Sequence, residues 1–472
     1  MLLLLLVYNI SLNFYGQIML NIVIPPNNIQ EREYLLKTIF NNFLKIPYKV
    51  TLSDNNTNEY ILSIENGNKI IIKDYFFAIY PRNLEYLQKE AIPKKVTLTS
   101  NLLFKESETP ILFGQDRVKI EEKSITSHID IFATIFFMLT RWEEYVELTR
   151  DEHNRFPHEA SLAYQHNFLH RPIVNEYIEF LWNMLLKMGY NKKRIERESS
   201  ILLTHDIDEV LRYPTPTTLI KGLVGDIVYR KNPLLPFKTV AQYIDIKRGK
   251  KRDPYDTFDE IMDISDEFNL KSHFFFMSGG TTNKYDNRYN IYDNSVKETI
   301  ENIKKRGHII GIHPSYNAYN NSEQFKLEKA SLEEVNQAPI SCGREHYLRF
   351  EIPKTWQLWE DNGLEWCSNL AYPKKSGFRT GSCYPYHPFN ILTRESLTIM
   401  EHPLIMMEAT FIEEGKNPKK VTEMIDYYLK IVKKYNGEFV LLWHNASFNQ
   451  HSLKAYSPIY KETIKKHQEL ML

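Results

Sequence analysis

Apolar positions change their rhythm near residue 196. Beyond it, short apolar runs alternate with longer amphipathic ones. Residues 201–204, 272–277, 309–312, 365–368 and 438–443 read as strands. Between them, 256–268, 295–306, 323–335 and 421–435 carry apolar residues at helical intervals. Repeated strand–helix alternation predicts a parallel sheet or barrel with helices outside it. Chemistry in such folds collects at the C-terminal ends of the strands. Residues 211–255 break the rhythm: Pro214, Pro216, Pro233 and Pro236 precede a Lys/Arg-rich end. That stretch reads as an insertion or lid outside the core.

The earlier part has another pattern. Leu20-Asn21-Ile22-Val23-Ile24 reads as a first strand stopped by Pro25-Pro26. Residues 60–64 and 69–72 form a hairpin around Asn66-Gly67-Asn68. A further strand follows at 109–114. Ile131, Ile135, Phe136, Leu139 and Trp142 recur at helical spacing within 130–147, and 171–188 is a second helix. Together these predict an α+β domain over 19–195. The apolar start, 1–7, falls short of the roughly 20 residues a membrane span needs. It also lacks a basic n-region, so 1–18 read as a leader or a mis-called start.

Composition narrows the function classes. Lys+Arg and Asp+Glu each number 59, and the zero formal charge argues against a nucleic-acid binder driven by global charge. Thirty Tyr and 26 Phe fit a folded protein and suit surfaces that face sugars. The three cysteines, Cys342, Cys367 and Cys383, form no CxxC pattern. A sparse, odd count fits free thiols in a reducing compartment, hence a cytoplasmic protein, and the spacing argues against a zinc–thiolate site.

Five stretches carry candidate chemistry. Thr204-His205-Asp206-Ile207-Asp208 places two carboxylates on the same side of an extended strand end. Such a pair either shares a cation or proton, or belongs to a solvated turn. Gly311-Ile312-His313-Pro314-Ser315-Tyr316-Asn317 puts an imidazole at a strand end, either as a metal ligand or held by turn backbone. Asn317 reaches the same point if a helical turn begins at His313. In Arg344-Glu345-His346-Tyr347-Leu348-Arg349-Phe350, the first arginine is placed to hold a carboxylate. Gly377-Phe378-Arg379-Thr380-Gly381 is either a ligand-approaching loop or a tight turn. Leu442-Trp443-His444-Asn445 sets an aromatic wall and a general-acid candidate at one rim. Asp-x-Asp, His, Arg and His at successive strand ends amount to a metal-assisted hydrolase by inventory.

These motifs, in this order, resemble the polysaccharide deacetylase superfamily (NodB-like, carbohydrate esterase family 4). The similarity is to a subgroup found with surface-polysaccharide genes, in which THDxD, GxHPSYN, RxHYL(R/K)F and GFRxG occur together. Residues 130–175 are similar to the uncharacterised N-terminal domain that accompanies it. The resemblance implies an α/β fold, a distorted (β/α)7 barrel over 200–472 behind the α+β domain. It implies Asp206 as catalytic base, Arg344 as its partner and His444 as general acid. Asp208, His313 and Asn317 would hold a divalent metal, most plausibly Zn2+, and the substrate would be an N-acetylated glycan or sugar precursor. Tyr316, Tyr347, Arg379 and Trp443 stand as substrate-binding candidates, with His205, His308 and Glu408 behind them. Two departures stand out. Asn317 replaces the second histidine of the usual H-x3-H, and Cys367 replaces the aspartate that orients the catalytic histidine. They keep two alternatives open: a metal-free hydrolase of cyclic amides, and a non-catalytic glycan-binding protein.

Overall fold

The computed structural model describes residues 19–471 apart from 55, 56, 229–233, 283 and 287. The expectation for residues 1–18 lies outside the described residues. Two compact units divide the chain. One comprises the described part of Met1–Asn83 with Lys95–Thr134 and Tyr177–Glu196; the other comprises Leu84–Lys94, Ile135–Glu176 and Arg197–Leu472. The second unit thus takes in 135–176, which the hydrophobic pattern grouped with the N-terminal part.

The first unit is built on a six-stranded mixed sheet. Its strands are β1 (Leu20–Ile24), β2 (Tyr48–Leu52), β3 (Glu59–Ser63), β4 (Lys69–Lys73), β5 (Gly114–Ile120) and β6 (Ser124–Ile129). Their order is β2-β1-β3-β4-β6-β5. Period-two burial holds along β1, β3, β4 and β6: Leu20, Ile22 and Ile24 are sealed, as are Ile70 and Ile72. The single helix expected over 130–147 is two, Ile131–Thr140 and Trp142–Val146. Arg141 between them takes a left-handed backbone at φ 52°.

The second unit holds an eight-stranded, all-parallel sheet. Its strands are β7 (Ser200–Ile207), β8 (Ser272–Phe276), β9 (Ile309–Ile312), β10 (Cys342–Gly343), β11 (Trp366–Cys367), β12 (Met400–Glu401), β13 (Leu404–Met407) and β14 (Glu438–Leu442). The order is β12-β11-β10-β9-β8-β7-β14-β13, with every pairing parallel. The two edge strands, β12 and β13, are consecutive in the chain and separated only by His402 and Pro403. Three residue steps span at most about 11 Å. A flat sheet of this many strands would be roughly 33 Å wide. The sheet therefore curls until its edges nearly meet, a barrel with one gap. Seven passes of chain make the eight strands, because the last edge pass is split at Pro403.

Burial on both faces explains the near-continuous apolar runs of these strands. Phe274, Phe275, Phe276 and Ile312 are all sealed. Helices Phe258–Glu267, Asn294–Lys305, Ser322–Asn336, Pro418–Lys434 and Ser457–Met471 surround them. Each turns a stripe inward, such as Val296, Ile300 and Ile303. The expected insertion contains two helices, Pro216–Val228 and Leu235–Lys247.

Candidate metal centre and active site

Five strand ends converge on one cluster. Asp206 and Asp208 close β7, His313 follows β9, Arg344 and His346 follow β10, Glu408 follows β13 and His444 follows β14. Strand alternation aims Thr204 and Asp206 at the interior and sends His205 outward. Gly343 lets β10 come close to β9, since a side chain there would overlap the Ile312 carbonyl. Arg344 and His346 enter the site from that close approach.

Arg344 is buried and fully engaged. Its Nε donates to Ser368 O at 2.6 Å and its Nη2 to Ser368 Oγ at 2.8 Å. Its Nη1 donates to Thr204 Oγ1 at 2.9 Å and to Asp206 Oδ1 at 3.0 Å. Asp206 Oδ2 is left facing His313 Nδ1 at 3.9 Å.

Beside this pair stand three donor groups. Asp208 Oδ1, His313 Nε2 and His346 Nδ1 lie within 4.8 Å of one another. Asp208 Oδ1 is 3.3 Å from His313 Nε2 and 3.5 Å from His346 Nδ1, and has no hydrogen-bond partner. Backbone carbonyls fix both rings: His313 Nδ1 donates to Arg344 O at 2.7 Å, and His346 Nε2 to Tyr285 O at 3.2 Å. Each neutral ring has one N–H, and each is committed to a carbonyl. The remaining nitrogens face each other at 2.9 Å, and with both rings neutral they are two lone pairs. That contact is repulsive unless a cation or an extra proton sits among the three donors. Two imidazole nitrogens and a carboxylate oxygen, the imidazoles oriented by carbonyls behind them, could hold a divalent metal ion.

His444 flanks the cluster, its Nε2 3.8 Å from Asp208 Oδ2. Its Nδ1 donates to Glu408 Oε1 at 2.7 Å, and Ser447 Oγ donates to the same oxygen at 2.6 Å. Burial alone would lower the pKa of His444. The Glu408 carboxylate, its hydrogen bond, and the charges of Asp208 and Asp206 outweigh that and push it up to about 10. These carboxylates favour the imidazolium, the form with a proton to give.

Several residues singled out in the sequence lie elsewhere. Asn317 is exposed, and its Oδ1 accepts from Arg349 Nη1 at 2.9 Å. No helix begins at His313; Pro314 and an irregular turn follow, and the next helix starts at Ser322. The four-residue return to the strand end is therefore missing, and His346, with no role in the sequence reading, stands among the donors instead. Its signal was its place just past a short strand. Arg379 is buried and spent on structure: it grips Glu144 through Nε at 2.9 Å and Nη2 at 2.5 Å, and donates to Ala371 O. Arg141 holds the same Glu144 and also Glu143, which accounts for the break in the helix. Trp443 is sealed among Phe411, Phe448 and Tyr460, because alternation sends it to the face opposite His444. His308 precedes β9, at the end of the strand away from His313, and its Nδ1 accepts from Ser272 N. His205 donates to Trp443 O at 2.6 Å and packs on Phe274, outside the cluster. Cys367 donates to Glu401 rather than approaching His444, whose partner is Glu408.

An aromatic rim borders the donors. Tyr285 stacks on Tyr316 with centroids 4.1 Å apart, and Tyr347 meets both edge-on. His153 completes the group, its Nδ1 2.9 Å from Tyr316 OH. Tyr347 adopts φ 60°, and Arg155 holds its carbonyl at 2.8 Å.

Comparison with known proteins gives three findings. A family of unknown function, DUF7033, matches residues 20–190. No curated protein matches. Among solved structures, the chain is similar to a protein from Mycobacterium smegmatis described as a candidate polysaccharide deacetylase, at 16% identity and TM-score 0.37, over 58% of this chain and 84% of that one. It is similar to the chitin deacetylase of the fungal pathogen Colletotrichum lindemuthianum at 13% identity and TM-score 0.30, over 58% and 85%. A CE4 family pseudoenzyme from Bacillus anthracis is similar at 10% identity and TM-score 0.28, over 58% and 66%.

Proposed function

We propose that the protein is a metal-dependent hydrolase. It removes N-acetyl groups from an amino-sugar glycan or glycan precursor, in the cytoplasm, within cell-surface polysaccharide synthesis. The carrying observation is the 2.9 Å contact between His313 Nε2 and His346 Nδ1, each ring with its own proton committed to a carbonyl. The orphaned Asp208 Oδ1 beside them supports the same reading. So does the motif resemblance to NodB-like deacetylases.

Asp208, His313 and His346 fit Zn2+ by donor type and number. When bound, the ion supplies a Lewis acid for the amide carbonyl and makes water more acidic. Asp206, with Oδ1 held by Arg344, takes the proton of the attacking water. Water oxygen adds to the acetyl carbon, the C–N bond breaks, and His444 Nε2 gives its proton to the departing amine nitrogen. Glu408 holds the His444 ring and its charge before transfer. Acetate and a free amino sugar result. The tyrosine rim offers flat apolar faces on which a sugar ring can lie.

The two alternatives rested on Asn317 and Cys367. With His346 among the donors and Glu408 on His444, no observation favours either. The test is acetate release from N-acetylated sugar oligomers and nucleotide- or lipid-linked N-acetyl sugars by the zinc-loaded full chain. Wild type should release acetate, and Asp206→Ala and His444→Ala should not. Equal rates for wild type and Asp206→Ala would overturn the assignment, as would an inert wild type at full metal occupancy.

A further inference from the structure

The insertion has a surface the hydrolase reading does not use. Among the described residues, eight of the 25 exposed large apolar side chains fall between Ile220 and Ile244. They keep helical spacing: Ile220, Val224 and Ile227 on the first helix, Phe237, Val240 and Ile244 on the second. Phe237 is 75% and Ile227 59% exposed. The helices pack antiparallel, joined on their inner sides by Thr239 Oγ1 donating to Asp226 Oδ2 at 2.6 Å, and Tyr213, just ahead of the first helix, meets Tyr243 of the second. Counting 100° per residue from that joining line, both stripes lie roughly 100–200° round their helices. In an antiparallel pair, equal rotations bring both stripes to the same side. The hairpin therefore presents both apolar stripes on one side.

Charge identifies what fits this face. Residues 216–252 contain nine Lys and Arg against two Asp, a net of +7 in a chain whose formal charge is zero. Neither acid is free: Asp226 is buried on the inner side, and Asp245 pairs with Lys251 at 2.9 Å. Lys221 and Lys247 border the stripes. A second copy of this face would set like charges against each other. An anionic lipid surface complements both features, taking the apolar stripe at the headgroup boundary and the cations at its phosphates.

The insertion is also fastened to the site. It leaves the C-terminal end of β7 just after Asp208. Asn445, next to His444, donates through Nδ2 to Glu209 O at 2.8 Å and to Tyr255 O at 2.9 Å, clamping both ends of the insertion.

We propose that the hairpin Pro216–Lys247 is an interfacial docking element that seats the protein on an anionic membrane, with the donor cluster at its base. No helix among the described residues is long and apolar enough to cross a membrane. The hairpin lies on the surface and does not span it.

The test is sedimentation of the full chain with vesicles of phosphatidylcholine alone, or with one part in three phosphatidylglycerol. Binding is expected to the anionic vesicles, to weaken as salt rises, and to fall at least tenfold in Ile227→Glu/Phe237→Glu. Both substituted positions are exposed, so the variant should keep the wild-type melting temperature, which controls for folding. Lys247→Glu/Lys250→Glu should reduce anionic binding to the neutral-vesicle level. Equal binding to both vesicle types, or wild-type binding by the apolar variant, overturns the proposal. So does a concentration-dependent dimer that the apolar variant dissociates while wild type ignores lipid, which would make this face an interface between copies. The assay reads no catalysis, so it stands or falls apart from the hydrolase reading.

Discussion

Replacing His346 with alanine, with Asn317→Ala alongside, separates the structural donor set from the one the motif spacing suggests. His346 Nδ1 lies 2.9 Å from His313 Nε2 and 3.5 Å from Asp208 Oδ1, so its loss leaves two donors. Asn317 is exposed and bonded to Arg349, so its loss leaves three. Structural zinc on four ligands gains about 10–16 kcal/mol, roughly 2.5–4 kcal/mol per ligand. One lost ligand should weaken binding about 10²–10³-fold. At zinc one hundred times the wild-type Kd, bound metal stabilises the fold by about 2.7 kcal/mol. With Kd raised that far, less than about 0.4 kcal/mol remains. The zinc-induced stabilisation is read within each variant, with and without metal, so any packing loss from removing the buried His346 ring cancels. The assay is elemental analysis after desalting, paired with thermal unfolding with and without zinc. Asn317→Ala should keep near-stoichiometric metal and the zinc-induced rise in melting temperature; His346→Ala should lose both. Metal kept by His346→Ala and lost from Asn317→Ala would refute the assignment, and metal kept equally by both would refute the three-donor site.

Four other outcomes follow from the geometry. Glu408→Gln should lower kcat for acetate release by about 10²-fold or more with little change in KM, since it removes the charge that keeps the proton on His444. Asp206→Asn should abolish turnover yet retain metal, because Asp206 lies outside the donor triad. Arg379→Met should cost about 1–3 kcal/mol in denaturant unfolding, because the buried Glu144 loses two donors and keeps only Arg141, while kcat per folded molecule stays constant. His205 is pushed down to about 3 chiefly by burial, so the fold holds its neutral form. Its contribution is therefore complete above the unfolded value near 6.5 and is lost as pH falls toward 3, as much as roughly 5 kcal/mol; His205→Gln should flatten the acid limb of the stability profile.

Much of the barrel could be read from the chain because period-two and helical burial are local properties. β9 falls at 309–312 as expected, and the helices around β8 and β9 fall within two residues of the expected bounds. Strands buried on both faces announce themselves as apolar runs, and Asp206, Asp208, His313 and His444 stand out because each follows one. Local pattern failed where a side chain's role depends on a distant partner. Arg379 looked like a ligand-binding arginine between two glycines, but its carboxylate, Glu144, lies 235 residues away. Trp443 looked like a wall of the site, and the parity of its strand put it in the core.

By itself the sequence determined the alternation of elements, the strand ends that carry polar groups, and the insertion with its basic end. All of these follow from the identities of neighbouring residues. Only the tertiary structure decided which strand ends meet. The sheet curls so that the ends of β7, β9 and β10 bring Asp208, His313 and His346 within 4.8 Å, although 138 residues separate the first from the last. It also brings Glu408 from β13 against His444 after β14. Donor geometry is a property of strand order and curvature, and neither is written in the spacing of a motif.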